Sequence, residues 1–269
     1  MPGTILDQIV ATKRREVADA TRLCPLPELR RRAEAGPPPR DFFTAVTAGR
    51  VMPGPTPVRL IAEIKKSSPS AGLIRPDFDP VQIARTYADC GAAALSVLTD
   101  RPWFSGDLAH LAAVKSAVDL PVLRKDFIVD EYQVWESRAA GADAILLIAA
   151  ALPPPSVAAW AALADRLGLT TLVEVHTLDE LHAVRPALGD APRLLWGINN
   201  RDLHAQRTDL GVTLRLAGEL RDRPFVSESG IRTAEDVARL HAAGATALLI
   251  GETFMRAPDL AAAVRALFA

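Results

Sequence analysis

Three charged residues lie where short apolar runs end, and they are of the types that acid–base chemistry uses. Glu63 and Lys65 stand two residues apart at the end of the run Val58–Ile64, so on a strand both side chains point to the same side. Lys125 follows the run Pro121–Leu123. A carboxylate and an ammonium held together away from bulk water have perturbed pKa values, which suits proton transfer at neutral pH. A buried structural ion pair is the alternative for Glu63 and Lys65, and a solvated strand end is the alternative for Lys125.

Glu174 and Asn199 extend this set of polar residues. Glu174 stands inside the apolar run Thr171–Val175, where an unpaired carboxylate is costly to bury, so we expect a functional role or a pairing with a lysine. His176 falls on the same face, where we expect it to pack or to support Glu174. Asn199 ends the run Leu194–Ile198. Together these residues indicate lysine, glutamate and asparagine chemistry.

Two later runs end in small residues that suit an anion. Ser229 and Gly230 follow one run, and Gly251 and Glu252 follow the next, so backbone N–H groups at both places could hold a phosphate. Ser68, on the loop after the first run, adds a hydroxyl donor. Tight turns made for structural reasons are the alternative for the glycines, and a Ser-Pro turn is the alternative for Ser68.

Neither a metal centre nor a serine-hydrolase triad is predicted. The histidines show no HxH or HExxH spacing, and no GxSxG turn occurs. These histidines are His110, His176, His182, His204 and His241. We therefore expect no metal ion in the site.

The apolar runs that carry the polar residues recur along the chain and alternate with helical patterns. Three runs follow a glycine that can end a helix, at Gly91, Gly141 and Gly244. Eight strand candidates result, which favours a closed parallel barrel or a doubly wound open sheet. Because no GxGxxG turn follows the first strand, we predict the barrel, an α/β fold of the (β/α)8 or TIM type. In such a barrel chemistry sits at the carboxyl ends of the strands.

The first part of the chain lies outside this pattern. We predict one (β/α)8-barrel domain over residues 1–269, in which residues 1–57 form an N-terminal helical extension. Ile5–Ala20 has the pattern of an amphipathic helix, and Leu26–Ala35 that of a second, short one. The extension is too short to be an independent domain, so we expect it to cap the barrel or to cover its active face.

Composition excludes several classes of function. The formal net charge is −1 and the charges are mixed without a basic stripe, so we expect no nucleic-acid partner. Cys24 and Cys90 form no CxxC pair, which suits a reducing compartment. No apolar leader follows Met1, and the longest apolar run, Ala144–Leu152, is too short to span a bilayer. We expect a cytoplasmic protein with no membrane partner, present as a monomer or a weak homodimer.

The motifs at the strand ends, taken in order, resemble those of the indole-3-glycerol phosphate synthase family of tryptophan biosynthesis. The resemblance runs over nearly the whole chain and includes the N-terminal helix and the segment Arg40–Phe43. Any one motif alone would be weak, but several in the same order make a specific signal. The motifs lie at 61–70, 96–100, 104–106, 121–128, 172–176, 197–203, 227–231 and 249–252.

The resemblance implies a lyase that works without a cofactor on a small phosphorylated substrate. Ring closure, decarboxylation and dehydration of 1-(2-carboxyphenylamino)-1-deoxyribulose 5-phosphate give indole-3-glycerol phosphate, CO2 and water. It implies Lys125 as the acid that protonates the substrate carbonyl. Lys65 is expected to pair with the substrate carboxylate and to serve as an acid in the dehydration. Glu63 and Glu174 are expected to stabilise the developing cationic nitrogen and to move protons.

The same resemblance implies a set of binding residues. Asn199 and Ser229 are expected to orient the sugar hydroxyls and the anthranilate end, and Arg201 to brace the glutamates or Asn199. The residues expected to line the aromatic pocket are Phe104, Phe127 and Leu203. The residues expected to grip the phosphate are Ser68, Gly230, Gly251 and, through its backbone N–H, Glu252.

Two positions depart from some members of that family. Ser67 stands where a lysine or an alanine occurs, so no further positive charge is expected there near the phosphate. Glu252 stands where a serine occurs. Its carboxylate would repel a phosphate, which leaves only its N–H as a contact. Neither position is one of the expected acid–base residues.

Three other functions remain as alternatives. A phosphoribosylanthranilate isomerase, another barrel enzyme, would use a Cys–Asp pair, and no cysteine stands near Glu63. A Schiff-base aldolase would use Lys65 or Lys125 as its nucleophile. A barrel that only binds a metabolite or a partner would have no need for so many charges at its strand ends.

Overall fold

The computed structural model describes residues 4–202 and 207–269. Eight parallel strands close into a barrel in the order β1-β10-β9-β8-β7-β6-β5-β4, and β2 and β3 form a separate antiparallel pair. The strands are β1 (Arg59–Ile64), β2 (Ser67–Ser68), β3 (Gly72–Leu73), β4 (Ala94–Leu98), β5 (Val122–Lys125), β6 (Ala144–Ile148), β7 (Thr170–Val175), β8 (Leu194–Asn199), β9 (Phe225–Glu228) and β10 (Ala247–Ile250). The predicted (β/α)8 barrel is confirmed.

Helices surround the barrel and precede it. Those before β1 are α1 (Ile5–Leu23), α2 (Leu26–Ala35) and α3 (Phe42–Thr47). Those after β1 are α4 (Pro80–Asp89), α5 (Arg101–Phe104), α6 (Leu108–Ala117), α7 (Glu131–Ala139), α8 (Pro154–Arg166), α9 (Leu178–Leu188), α10 (Gly211–Leu216), α11 (Ala234–Ala242), α12 (Glu252–Met255) and α13 (Leu260–Phe268). Two short 3-10 helices cover Ala149–Ala151 and Ala217–Leu220.

Side-chain alternation along each strand divides the core into two layers. In β7, Leu172 packs in the lumen, whereas its neighbour Val173 packs outward among the helices. The same alternation places Leu123 of β5 and Leu195 of β8 in the lumen. Residues two positions apart on one strand therefore share a face, which fixes where later polar residues must point.

Local sequence signals begin and end several helices. Thr233 and Asp236 form a capping box at the start of α11, and such caps contribute about 1 kcal/mol each. At the other end of the helices, Gly91, Gly141 and Gly244 have φ values of 94°, 87° and 98°. These left-handed conformations favour glycine, so the predicted helix stops before β4, β6 and β10 are confirmed.

The three N-terminal helices contact both ends of the barrel. Ile5 and Ile9 of α1 line the cavity at the carboxyl ends of the strands. At the opposite end Phe42 of α3 is fully buried and belongs to the lumen cluster, and the Arg40 N–H donates to Asp143 Oδ1 at 2.6 Å just before β6. Tyr132 of α7 donates its hydroxyl to two carbonyls near the end of α1, so the extension is tied to the barrel at several separate points.

Some predicted boundaries were wrong. Three strands end later than their apolar runs, because polar side chains that point into the lumen pair with one another and continue the strand. The added last residues are Lys125 of β5, Asn199 of β8 and Glu228 of β9. Helix α1 ends at Leu23 rather than at Ala20, and helix α3 was not predicted.

Within the described ranges 4–202 and 207–269, no helix combines the length and the hydropathy that a bilayer crossing needs. Helix α1, with 19 residues, carries charges along its length. The thiols of Cys24 and Cys90 are both free.

Candidate active site

Polar side chains converge in the lumen at the carboxyl ends of five strands. Each stands two or four residues after an apolar residue that faces the lumen, so strand alternation directs it inward. The five are Glu63, Lys125, Glu174, Asn199 and Glu228. Asn199 and Glu228 are register partners on β8 and β9. The sequence prediction named four of these residues, and the structure brings those four together.

Lys125 lies at the centre of this cluster. Its Nζ is 3.1 Å from Glu174 Oε2 and 2.9 Å from Glu228 Oε2. Burial disfavours the ammonium, but the two carboxylates outweigh burial and raise the pKa of Lys125 above its ordinary value. Lys125 is therefore charged, and its ammonium is oriented by two carboxylates.

Glu174 is held as a carboxylate by its neighbours. Its Oε1 accepts from Asn199 Nδ2 at 3.1 Å and lies 3.3 Å from His176 Nε2. Burial alone would raise the pKa of Glu174, but Lys125 and His176 lower it. His176 Nδ1 in turn lies 3.2 Å from Glu180 Oε2, and against the opposing effect of burial these two carboxylates raise the pKa of His176 to about 10.

Glu228 is the member of the cluster that sequence reasoning missed. It stands between two serines and is 1% exposed. Burial, together with the nearby carboxylate of Glu174, raises the pKa of Glu228 to about 7 in spite of Lys125. Its Oε1 has no hydrogen-bond partner among residues 4–202 and 207–269. The signal that could have found it is alternation, because it stands two residues after Val226, which faces the lumen.

Glu63 and Lys65 form a second pair at the end of β1. Lys65 Nζ lies 2.6 Å from Glu63 Oε2. Burial favours the neutral acid, but Lys65 and Lys125 outweigh it and lower the pKa of Glu63. Gly251 makes room for this carboxylate, since a Cβ on Gly251 would lie 2.3 Å from Glu63 Oε2. The predicted same-face arrangement of Glu63 and Lys65 is confirmed.

A cavity of about 630 Å³ opens above these residues. One wall is aromatic, formed by Phe104 and Phe127, whose ring centroids are 6.0 Å apart. Ile5 and Ile9 of the N-terminal helix add apolar surface to the lining. Leu203, also expected in this wall, lies outside the described residues.

Loops after β1, β9 and β10 supply another part of the lining. Ser229 and Gly230 have φ values of 67° and 80°, and both line the cavity with Gly251. Ser68 is buried and its Oγ accepts from the Ala71 N–H at 3.2 Å. The serine and glycine residues expected to hold a phosphate are therefore brought together at one cavity.

The side chain of Arg201 does not contact Glu63 or Glu174, contrary to one of the two expectations. Its guanidinium donates to Glu252 Oε2 at 2.7 Å and to Ser70 Oγ at 2.6 Å. Only its backbone N–H reaches Asn199, donating to Oδ1 at 3.0 Å. Glu252 also accepts from Arg256 at 3.1 Å. Burial would raise the pKa of Glu252, but Arg201 and Arg256 lower it, so this carboxylate is paired beside the cavity.

The donor set suits organic acid–base chemistry. The carboxylates in the lumen face lysines, and the part of the chain that the structure describes holds no group of three or more His, Cys, Asp or Glu side chains arranged for a metal ion. Cys24 and Cys90 do not line the cavity. The isomerase alternative, which needs a cysteine beside its aspartate, therefore has no thiol here among the described residues.

Known proteins of similar sequence identify the family of this chain. The family model for indole-3-glycerol phosphate synthase matches residues 6–267. The chain belongs to the indole-3-glycerol phosphate synthase family. The synthase of Rhodopirellula baltica is 50% identical over 267 residues, covering 99% of each chain, and that of a Roseiflexus species is 50% identical over 273 residues, covering 98% of each.

A solved structure with low sequence identity supports the fold alone. A 3-hexulose-6-phosphate synthase superposes with a TM-score of 0.60 at 20% identity, covering 78% of this chain and 98% of that one. The barrel is thus shared beyond the indole-3-glycerol phosphate synthase family.

Proposed function

We propose that this chain closes the indole ring of 1-(2-carboxyphenylamino)-1-deoxyribulose 5-phosphate and releases indole-3-glycerol phosphate, CO2 and water. As a member of its family it is a carboxy-lyase of tryptophan biosynthesis. The observation that carries the assignment of roles is the position of Lys125, which lines the cavity with its ammonium between Glu174 and Glu228. A cavity of about 630 Å³ is large enough for one such substrate.

The cavity orients the substrate by its two chemically different sides. The anthranilate ring packs against Phe104 and Phe127, because flat apolar walls suit an aromatic ring. The phosphate is held by backbone N–H groups at Gly230 and Gly251 and by the hydroxyl of Ser68, where glycine lets the backbone approach closely. The reacting atoms then lie between these sides, above Lys125.

Ring closure begins with proton transfer from Lys125. Its ammonium protonates the substrate carbonyl oxygen while the aromatic carbon attacks the carbonyl carbon, so a carbon–carbon bond forms as the C=O double bond becomes a C–OH single bond. Positive charge develops on the anilino nitrogen, and the carboxylates of Glu63 and Glu174 stabilise it. Asn199 and Ser229 orient the sugar hydroxyls and the anthranilate end.

Decarboxylation and dehydration complete the reaction. Lys65 pairs with the substrate carboxylate until that group leaves as CO2, and its bonding electrons return to restore the aromatic ring. Lys65 then protonates the departing hydroxyl, which leaves as water. A carboxylate takes the proton lost from the adjacent carbon, and Glu228, with a pKa of about 7, suits this role beside Glu174. Lys125 and Lys65 each deliver one proton and a carboxylate takes one back, so each turnover takes up one proton from solvent.

Direct turnover tests the proposal. Purified protein is mixed with the carboxyphenylamino-deoxyribulose phosphate, and indole fluorescence is followed without added cofactor or metal. The expected result is a rise that depends on protein concentration. Well-folded protein that gives no rise contradicts the proposal and leaves the isomerase, the aldolase and the non-catalytic barrel. Borohydride trapping of substrate on a lysine identifies the aldolase. The cytoplasmic location and the monomeric or weakly dimeric state stay predictions.

A further inference from the structure

Lys13 is buried although it belongs to the N-terminal helix α1. It is 3% exposed, and its Nζ lies 2.8 Å from Asp100 Oδ1 and 3.0 Å from Asp126 Oδ1. Glu16, one turn further along the helix, lies 2.7 Å away on the solvent side. The ammonium thus joins two loops of the barrel that are far from it in the sequence.

Asp100 fixes the loop after β4. Its Oδ2 accepts from the Trp103 N–H at 2.9 Å and caps the short helix α5, whose last residue is Phe104. The ring of Phe104 forms part of the aromatic wall of the cavity. A displacement of Asp100 would therefore move that ring.

Asp126 fixes the strand end that carries Lys125. Its Oδ1 accepts from the Phe127 N–H at 2.8 Å, and its Oδ2 accepts from Thr99 Oγ1 at 2.6 Å and from Arg124 at 3.0 Å. Asp126 thus stands between Lys125 and the second ring of the aromatic wall. Both halves of the wall are tied to one carboxylate each, and Lys13 contacts both carboxylates.

The charges explain why the ammonium is needed at this point. Asp100 and Asp126 are both buried, and each disfavours ionisation of the other. Burial raises the pKa of Asp100 although Lys13 opposes the rise, whereas Arg124 and Lys13 lower the pKa of Asp126 against the effect of burial. Without Lys13 two buried acids would face each other across the two loops, which favours their separation.

We propose that Lys13 is a positioning residue that holds the Phe104 and Phe127 loops at the spacing that the aryl end of the substrate requires. The inference rests on the proposed function for the identity of that aryl group. A role limited to anchoring helix α1 is the competing explanation. The helix has a separate anchor remote from the cavity, where Tyr132 donates to the carbonyls of Ala20 and Cys24 at 3.1 and 2.9 Å.

The test compares Lys13→Met with Lys13→Arg and with the matched control Tyr132→Phe. Lys13→Met should raise KM by about tenfold or more, because a misplaced wall costs orientation of the substrate. Lys13→Arg restores the charge and should recover most of that loss. Tyr132→Phe removes an α1 contact far from the cavity and should keep KM near the wild-type value.

Two ligand fragments separate the explanations. Anthranilate, whose own fluorescence reports binding with or without turnover, should bind Lys13→Met about tenfold more weakly, whereas inorganic phosphate should compete with substrate within about twofold of wild type, because its grip lies on other loops. If Lys13→Met bound both fragments more weakly to the same extent, Lys13 would be only an anchor. The same would follow if Tyr132→Phe weakened anthranilate binding as much as Lys13→Met does. Unchanged anthranilate affinity in Lys13→Met overturns the proposal.

The role of Lys13 can still be tested if Lys13→Met does not fold or if the wild-type protein shows no turnover. If Lys13→Met does not fold, the double variant Lys13→Met with Asp100→Asn removes the ammonium together with one of its two buried acids. This double variant should still bind anthranilate more weakly than the wild type. Wild-type protein that binds anthranilate but shows no turnover contradicts the proposed function and leaves the role of Lys13 decided by the anthranilate comparison. Wild-type protein that fails to bind anthranilate overturns the aryl wall and with it this role.

Discussion

Gly197 on β8 lies directly against the carboxylate of Glu228 on β9. A Cβ on Gly197 would stand 2.4 Å from Glu228 Oε1, closer than any relaxed contact allows. The missing side chain is therefore what permits Glu228 to turn toward Lys125, whose Nζ is 2.9 Å from its other oxygen. A residue with no functional group of its own sets the geometry of the cluster.

Gly197→Ala should impair the chemical step without unfolding the barrel. The added methyl pushes the Glu228 carboxylate away from Lys125, and we expect kcat to fall by about 10²-fold, as small misplacements of catalytic groups do. Steady-state kinetics measures this, with circular dichroism as the check on folding. Gly218→Ala is the matched control, since nothing lies within 4 Å of a Cβ there. A Gly197→Ala enzyme with normal kcat would contradict the assignment of Glu228.

The acid limb of the pH profile should report Glu228. Because burial raises its pKa to about 7, the carboxylate is protonated below that pH and becomes a proton acceptor above it. We expect kcat/KM to rise with pH through about 7 and Glu228→Gln to have little activity at any pH. His182→Asn is the control, since His182 is exposed and lies 3.7 Å from Glu219, outside the cavity lining. Loss of the limb in this control would assign it to the histidine.

Lys125→Ala and Ser68→Ala should fail in different ways. Without the ammonium no group protonates the carbonyl, so Lys125→Ala should lower kcat by roughly 10²- to 10⁴-fold. Ser68→Ala removes a hydroxyl expected to bind the phosphate and should mainly raise KM. Single-turnover kinetics and substrate titration separate the two effects. Near-normal turnover by Lys125→Ala would show that another group is the acid.

Glu252→Gln should tighten binding of the phosphorylated substrate. Arg201 and Arg256 partly neutralise this carboxylate, yet it still places a negative charge beside the predicted phosphate grip. Its removal should lower KM by about two- to fivefold, with a larger effect at low ionic strength because salt screens exposed charges. Glu219→Gln, remote from the cavity, is the control. An unchanged or higher KM in Glu252→Gln would indicate that the ion pair with Arg201 matters more than the repulsion.

Most of the cluster could be predicted because two simple regularities agree. Parallel strands of a barrel bring their carboxyl ends together, and alternation along each strand decides which side chains share the lumen. Glu63 and Glu174 stand near the ends of apolar runs and Lys125 follows one, so both regularities apply to them directly. The last residue of a strand is harder to predict, because a polar residue that faces the lumen resembles the start of a loop. The sequence pattern for that reason places Lys125 after its strand rather than in it.

What could not be predicted depends on pairs that are distant in the sequence. Alternation after Val226 could have indicated the position of Glu228, but the space for its carboxylate comes from Gly197 on another strand. One side-chain partner of Arg201 is Glu252, 51 residues away at the start of α12. The segment that includes Lys13 resembles the family's N-terminal helix, but a lysine on an amphipathic helix is usually solvated, so the sequence does not predict its buried contacts. Only the closed barrel brings these pairs within contact distance.

The apolar layer beneath the charged cluster closes the lumen at that end. Leucine, isoleucine and valine side chains from the strands fill the lumen below Lys125 and Glu174, so reactant and product pass through the same mouth. The product keeps the phosphate and must vacate that grip before another substrate can enter. Indole-3-glycerol phosphate should therefore inhibit competitively, with initial rates restored by excess substrate, whereas a noncompetitive pattern would show that another product leaves after it.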